Sequence, residues 1–79
     1  MSKQYDGKRI YKYMSASQAE YQVRGKYIYK YMSASQPVFE IRGNYIYKYM
    51  SVSQPVFEIR QGKYIHKHMS ATQAVYELR

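Results

Sequence analysis

The sequence predicts an all-β protein, an antiparallel meander of eight short strands that is either curled on itself or packed against a second copy. Three observations carry this. One 18-residue unit is written four times, at residues 7–24, 25–42, 43–60 and 62–79. Within each unit the apolar residues alternate with period two, as on a pleated strand. Gly returns once per unit, and Pro37 and Pro55 interrupt any longer helical stretch.

The second copy runs Gly25-Lys26-Tyr27-Ile28-Tyr29-Lys30-Tyr31-Met32-Ser33-Ala34-Ser35-Gln36-Pro37-Val38-Phe39-Glu40-Ile41-Arg42, and the third differs from it only at Asn44 and Val52. Six residues precede the first copy as a leading tail, and Gln61 is a single insertion between the third and fourth. Nothing remains for a second domain, so residues 7–79 form one repeat domain. The run Tyr27–Met32 is rich in aromatic and β-branched residues, which suit strands. Val38-Phe39-Glu40-Ile41-Arg42 alternates in the same way.

Two kinds of connection join the strands. Gly25-Lys26 and Gly43-Asn44 place Gly first in a two-residue turn, which suits a type II′ hairpin. The other connection is Ser33-Ala34-Ser35-Gln36, with Pro37 at the start of the next strand, where a missing ladder donor is tolerated. Loops of these lengths set Ile28 opposite Ile41 and Lys30 opposite Phe39. One face then collects Ile28, Lys30, Met32, Phe39 and Ile41; the other collects Tyr27, Tyr29, Tyr31, Val38, Glu40 and Arg42. Loops one residue longer would flip alternate strands and bring the tyrosines to Phe39 and Ile41. Turn chemistry favours the first register. A parallel solenoid would stack Lys12, Lys30, Lys48 and Lys67 at about 4.8 Å, a destabilising column of like charge. The meander interposes a strand between them.

A chain of 79 residues buries a modest fraction of its surface, and such chains commonly rely on disulfides, a metal or a partner subunit. There is no Cys. Both faces of the sheet carry large apolar or aromatic groups, and the last strand, Ala74–Arg79, has no following element to cover its edge. These features lead to the expectation of a homo-oligomer. Tyr, with 12 copies, dominates the aromatic residues, and its hydroxyl favours surfaces and interfaces. The candidate interaction face is Tyr11, Tyr13, Tyr27, Tyr29, Tyr31, Tyr45, Tyr47 and Tyr49, with Arg42 and Arg60 beside them.

The net charge is +8, spread as +3, +2, +1 and +2 over the four copies. That balance admits polyanions as partners. Tyr rings can stack bases while cations neutralise phosphates, so single-stranded nucleic acid or another polyanion is the alternative ligand. His66 and His68 sit two apart on one strand face, a spacing that holds a metal only with further ligands. They replace Tyr29 and Tyr31 of the second copy, and exchange of one flat polar ring for another is the simpler reading. No cofactor and no small-molecule substrate is inferred. There are no paired carboxylates, no Gly-rich phosphate loop and no Ser/His/Asp set, so no enzyme is expected. No apolar run is long enough to span a membrane as a helix, and the first residues lack the apolar core of a signal peptide. A cytoplasmic, non-enzymatic, self-associating structural or protein-interaction module is the expectation.

The repeats resemble choline-binding cell-wall repeats in length and Tyr content, and MORN repeats in their use of Tyr and Gly. The first depend on Trp, which is absent, and the second on a denser Gly spacing than one per 18 residues. Neither resemblance carries a function here.

Overall fold

The computed structural model describes residues 4–15, 18–33, 36–51, 54–69 and 73–79. It is all-β. The strands are β1 (Arg9–Lys12), β2 (Tyr21–Arg24), β3 (Tyr27–Lys30), β4 (Phe39–Arg42), β5 (Tyr45–Lys48), β6 (Phe57–Arg60), β7 (Tyr64–Lys67) and β8 (Tyr76–Leu78). Each pairs antiparallel with the next, and β8 returns to pair with β1, closing a barrel. The expected uncovered edge on the last strand is therefore not found: Ile10 stands opposite Leu78 and Lys12 opposite Tyr76. Closure removes both sheet edges at once, which no open meander achieves.

The short turns are as the sequence predicts. Arg24 faces Tyr27 and Arg42 faces Tyr45, leaving two-residue loops. Gly25 and Gly43 have φ of 62° and 61°, while Lys26 and Asn44 are not among the residues with positive φ, the pattern of a type II′ turn. Gly suits this first position because a Cβ there would be strained. The insertion makes the third such loop three residues long, with Arg60 opposite Tyr64. Gln61 and Gly62 both take positive φ, and Lys63 N–H bonds the Arg60 carbonyl, so a type I′ turn absorbs the extra residue. Ile59 still faces Ile65, and the alternation of faces survives.

Across the longer connections the register differs from expectation. Ile28 faces Phe39 rather than Ile41, and Tyr27 faces Glu40. Lys30 stands opposite Tyr21 of the preceding strand instead of Phe39. The cause lies at Met32. Its φ is 63°, and Ser33 N–H bonds the Lys30 carbonyl, so residues 30–33 form a turn of their own and β3 ends at Lys30. Met14 and Met50 turn the chain in the same way. A shift of two residues preserves which face each residue occupies. The parts of the predicted second loop at Ala34 and Ser35 lie outside the described residues.

The interior is layered. Ile10, Ile28, Ile46 and Ile65 are 2, 1, 2 and 1 % exposed, and Val23, Ile41, Ile59 and Leu78 are buried with them. Tyr21, Phe39, Phe57 and Tyr76 pack against this core. These four rings form a closed square of edge-to-face contacts, with centroids 5.8 Å apart for Tyr21–Phe39, Phe39–Phe57 and Phe57–Tyr76, and 5.9 Å for Tyr76–Tyr21. Edge-to-face geometry sets the positive ring edge against the negative face, and each such pair adds about 0.5–1.5 kcal/mol beyond burial. The space between the square and the Ile layer is about 10 Å³, roughly one water. An eight-stranded barrel is just wide enough for its own side chains, and this one is filled.

Tyr5 completes the core at the other end. It is 4 % exposed and belongs to the buried cluster, and its hydroxyl donates to Asn44 Oδ1 at 3.0 Å. Asp6 Oδ1 accepts from Gly25 N–H at 2.7 Å, and Gly7 N–H bonds the Val23 carbonyl. The segment before β1 thus covers the end where the glycine turns lie. Asn44, one of two differences between the second and third copies, is the residue that receives it.

Candidate binding end

The two ends of the barrel carry different chemistry. In an up-and-down meander all connections of one kind lie at one end. The glycine turns share an end with Tyr5. The longer connections share the opposite end, with Met14, Met32, Met50 and Met69, and the rings of the aromatic square belong to that side.

The tyrosines of the candidate interaction face occupy the outer surface, away from the core, and the structure engages them with one another and with cations. Arg79 lies over Tyr11 at 4.4 Å, Arg24 over Tyr29 at 4.7 Å, Arg42 over Tyr47 at 4.6 Å and Arg9 over Tyr31 at 5.4 Å. Tyr13 meets Tyr64, Tyr27 meets Tyr49 and Tyr45 meets His68 edge-to-face, at 5.9, 5.7 and 5.7 Å. Lys26 covers Tyr27 as well. Most of these rings are half-buried; Tyr45 is the most open, at 44 %. Arg42 also bridges to Glu40 at 3.4 Å, and Arg60 to Glu58 at 2.9 Å. The candidate residues are thus brought together, but as pairs that consume ring faces and guanidinium groups.

Three carboxylates of the outer face, Glu40, Glu58 and Glu77, have cations nearby. Glu40 is reached by Arg42 and Lys26, and Glu77 by Arg79 and Lys63. The hydrogen bond from Arg42, aided by Lys26, holds the Glu40 carboxyl below its ordinary pKa. Arg60 does the same for Glu58, with a backbone bond from Met69 and the charge of His68 assisting. His68 Nδ1 lies 3.4 Å from Glu58 Oε1, an ion-pair distance once the ring is protonated, but it has no hydrogen-bond geometry to any partner. Among the described residues no group of three or more His, Asp or Glu is placed to hold a metal ion.

The end with the longer connections looks different. Lys12, Lys30, Lys48 and Lys67 are exposed and make no ion pair among the described residues. Each stands directly across the ladder from one ring of the aromatic square: Lys12 from Tyr76, Lys30 from Tyr21, Lys48 from Phe39 and Lys67 from Phe57. Met14, Met32 and Met50 are each 80 % exposed and Met69 is 83 % exposed, all with φ between 60° and 64°. A non-Gly residue in this left-handed region costs about 1–2 kcal/mol. An apolar side chain that is both strained and solvent-exposed contributes little to the fold.

Comparison of the four copies sharpens this. The same residue occupies seven of the 18 positions in every copy: Gly, Ile, Lys, Met, Ser, Gln and Arg. Gly makes the turn, Ile the core, Ser15, Ser33 and Ser51 the backbone bond that closes the Met turn, and Arg the outer cation contacts. Lys, Met and Gln are exposed in all four copies. The other core positions vary, with Val23, Ile41, Ile59 and Leu78 as one set and Tyr21, Phe39, Phe57 and Tyr76 as another.

Gln and Lys of adjacent copies meet in open grooves. One of about 420 Å³ is lined by Gln18, Ala19, Glu20, Tyr21, Lys30 and Tyr31. The corresponding groove where the barrel closes is about 320 Å³, lined by Lys12, Tyr13, Gln73, Ala74, Val75 and Tyr76. Sequence reasoning missed these residues because Lys, Met and Gln carry no motif. The signal was their identity in all four copies, which becomes informative only once their exposure is known. Comparison with models of protein families, with curated proteins and with solved structures finds no match to this chain.

Proposed function

We propose that the chain is a non-enzymatic binding module that holds an extended polyanion at the end carrying Lys12, Lys30, Lys48 and Lys67. The observation that supports this most is the segregation of charge. The carboxylates Glu40, Glu58 and Glu77 are matched by cations on the outer face, whereas the four lysines, present in every copy, have no acidic partner among the described residues. Like charges gathered at one end raise the local concentration of an anionic ligand and steer its approach. Repetition adds avidity, because a polymer bound at one copy is presented to the next at high effective concentration. The outer tyrosines, already covered by cations and ring edges, are a poorer place for stacked bases than the sequence suggests.

The test is binding of a sulfated polysaccharide and of single-stranded oligothymidylate at rising salt. If four lysines each release one counterion, the logarithm of the association constant falls by about 3 per decade of salt on a single strand. The variant with Lys12, Lys30, Lys48 and Lys67 all changed to Ala should lose both the affinity and the slope. Absence of binding at low salt, or full affinity in that variant, removes the reading.

Self-association is the second reading, and the exposed methionines favour it. Flexible thioethers are adaptable apolar contacts, and four at one end offer a surface to a second copy. The four lysines at the same end oppose a head-to-head pair, since like charges across an interface are costly. Light scattering separates the cases. A dimer that strengthens with salt supports the second reading, and a 9.5 kDa monomer at both low and high salt removes it.

A further inference from the structure

The two described grooves share a feature that distinguishes their copies from the other two. Ala19 and Ala74, 6 and 7 % exposed, are the buried lining residues of the two grooves, where the second and third copies carry Pro37 and Pro55, which are half-exposed. The same two copies carry Tyr21 and Tyr76 in the aromatic square where the others carry Phe39 and Phe57. The exchanges go together: a small lining residue comes with a ring that bears a hydroxyl, and a ring-shaped Pro comes with Phe. Tyr21 and Tyr76 touch each other at 5.9 Å, and the two grooves flank this contact.

We propose that these twin grooves are saccharide sites, each seating one sugar unit of an anionic polysaccharide, so that two of the four copies bind specifically while all four supply charge. This deepens, and rests on, the polyanion reading. The groove walls fit the chemistry of a sugar acid or sulfated sugar. The Gln18 and Gln73 amides both donate and accept, as ring hydroxyls require. Lys30 and Lys12 supply an ammonium for carboxylate or sulfate. Tyr31 and Tyr13 give each groove an aromatic wall, and the small Ala side chains leave room for the ring. Volumes of about 420 and 320 Å³ lie in the range of small-ligand sites. Stacking of a nucleobase would need an open ring face, and Arg9 already lies over Tyr31 in the first groove, so the Gln and Lys side chains rather than the ring carry the recognition there. The two grooves are unequal. Glu20 lines the first and Val75 takes its place in the second, so the second is the stronger site for an anionic unit.

The experiment is a titration of the whole chain with a sulfated hexasaccharide, with oligothymidylate of matched charge and inorganic sulfate as competitors. The informative variant is Ala19→Pro with Ala74→Pro, which installs the residue the barrel already carries at Pro37 and Pro55. It should weaken hexasaccharide binding about tenfold, a loss of one good polar contact or more. Should that variant fail to fold, Gln18→Ala with Gln73→Ala, at exposed positions, reads the same grooves and should give a similar loss. Lys48→Ala with Lys67→Ala should weaken binding less than Lys12→Ala with Lys30→Ala, and Glu20→Gln should strengthen it. Affinity unchanged by both the Pro and the Gln variants, but abolished by loss of all four lysines, would overturn the grooves and leave the polyanion reading intact. Binding of oligothymidylate in preference to the hexasaccharide would overturn the saccharide assignment, and no binding of either polymer would overturn both.

Discussion

At the scale of single residues, what the sequence discloses depends on whether conformation follows from residue type. Gly25 and Gly43 adopt the positive φ that their turn requires, and any reader of Gly-Lys or Gly-Asn between two strands would place them there. Changing Gly43 to Ala should cost about 1–2 kcal/mol, through the left-handed backbone alone, since a Cβ there would touch nothing within 4 Å. Met32 adopts a similar positive φ with no such sign. Methionine is a competent strand residue, so sequence reasoning extends β3 through it and misplaces the turn. The structure makes a converse prediction. Met50→Asn, which tolerates left-handed geometry, should leave the barrel as stable or stabilise it by up to about 1 kcal/mol in chemical denaturation. Destabilisation beyond that would mean the methionine side chains have a structural task after all. Tyr5 went unread because an isolated aromatic in a polar leader carries no periodicity. A turn closed by Lys8 N–H on the Tyr5 carbonyl aims the ring at the core, and its burial follows only from the closed barrel above it.

Elements were more legible than residues. Period two, strong β-formers and recurring turns specified eight strands, their antiparallel order and which residues share a face. Ile28, Phe39 and Ile41 do lie together on the inner face, and Tyr27, Tyr29 and Glu40 on the outer one. Pairing across the longer connection slipped by two because the strands are four residues long and the ladder is silent about where a turn begins. A two-residue slip leaves hydrophobic patterning intact, so nothing in the pattern could reject it. The insertion at Gln61 offers a test at this scale. Without it, Gly62-Lys63 would repeat the two-residue turn of Gly25-Lys26 and keep Arg60 opposite Tyr64. Deletion of Gln61 should therefore change stability by less than about 1 kcal/mol, whereas insertion of one residue within β6 should unfold the barrel.

For the whole molecule, closure is the property that the sequence left open between curling and packing on a second copy. It depends on the first and last strands meeting, and Arg79 secures that seam. Its amide bonds the Arg9 carbonyl, and its guanidinium lies over Tyr11, bridges to Glu77 and donates to the Ser15 carbonyl. Arg79→Ala should cost about 2 kcal/mol, the lower end of the sum of one exposed cation–π contact and one charge-assisted hydrogen bond, and should speed amide exchange in β1 and β8 before other strands. Charge sets the pH limits. Glu40 and Glu58 have carboxyls held below 4.5 in the folded state, so the stability they contribute is present above that value and is lost as pH falls through their lowered values. Burial raises the Tyr76 and Tyr5 hydroxyls above 10, with Tyr21 beside Tyr76 adding to it, so their contribution is present below 10 and is lost as pH climbs through the raised values. Thermal melts across pH should show a plateau that declines at both extremes.

The proposed function turns on location: an anionic polymer is to meet the end bearing the exposed methionines and the lysines that have no ion pair among the described residues, leaving the tyrosine-covered flank alone. Nuclear magnetic resonance of the methionine methyl groups and tyrosine rings during titration with a sulfated hexasaccharide observes both places in one sample. The account predicts shifts at Met14, Met32, Met50 and Met69 and at Tyr13 and Tyr31, with Tyr29 and Tyr47 unmoved beneath their arginines. Shifts confined to Tyr29 and Tyr47, with the four methyl groups still, would contradict it.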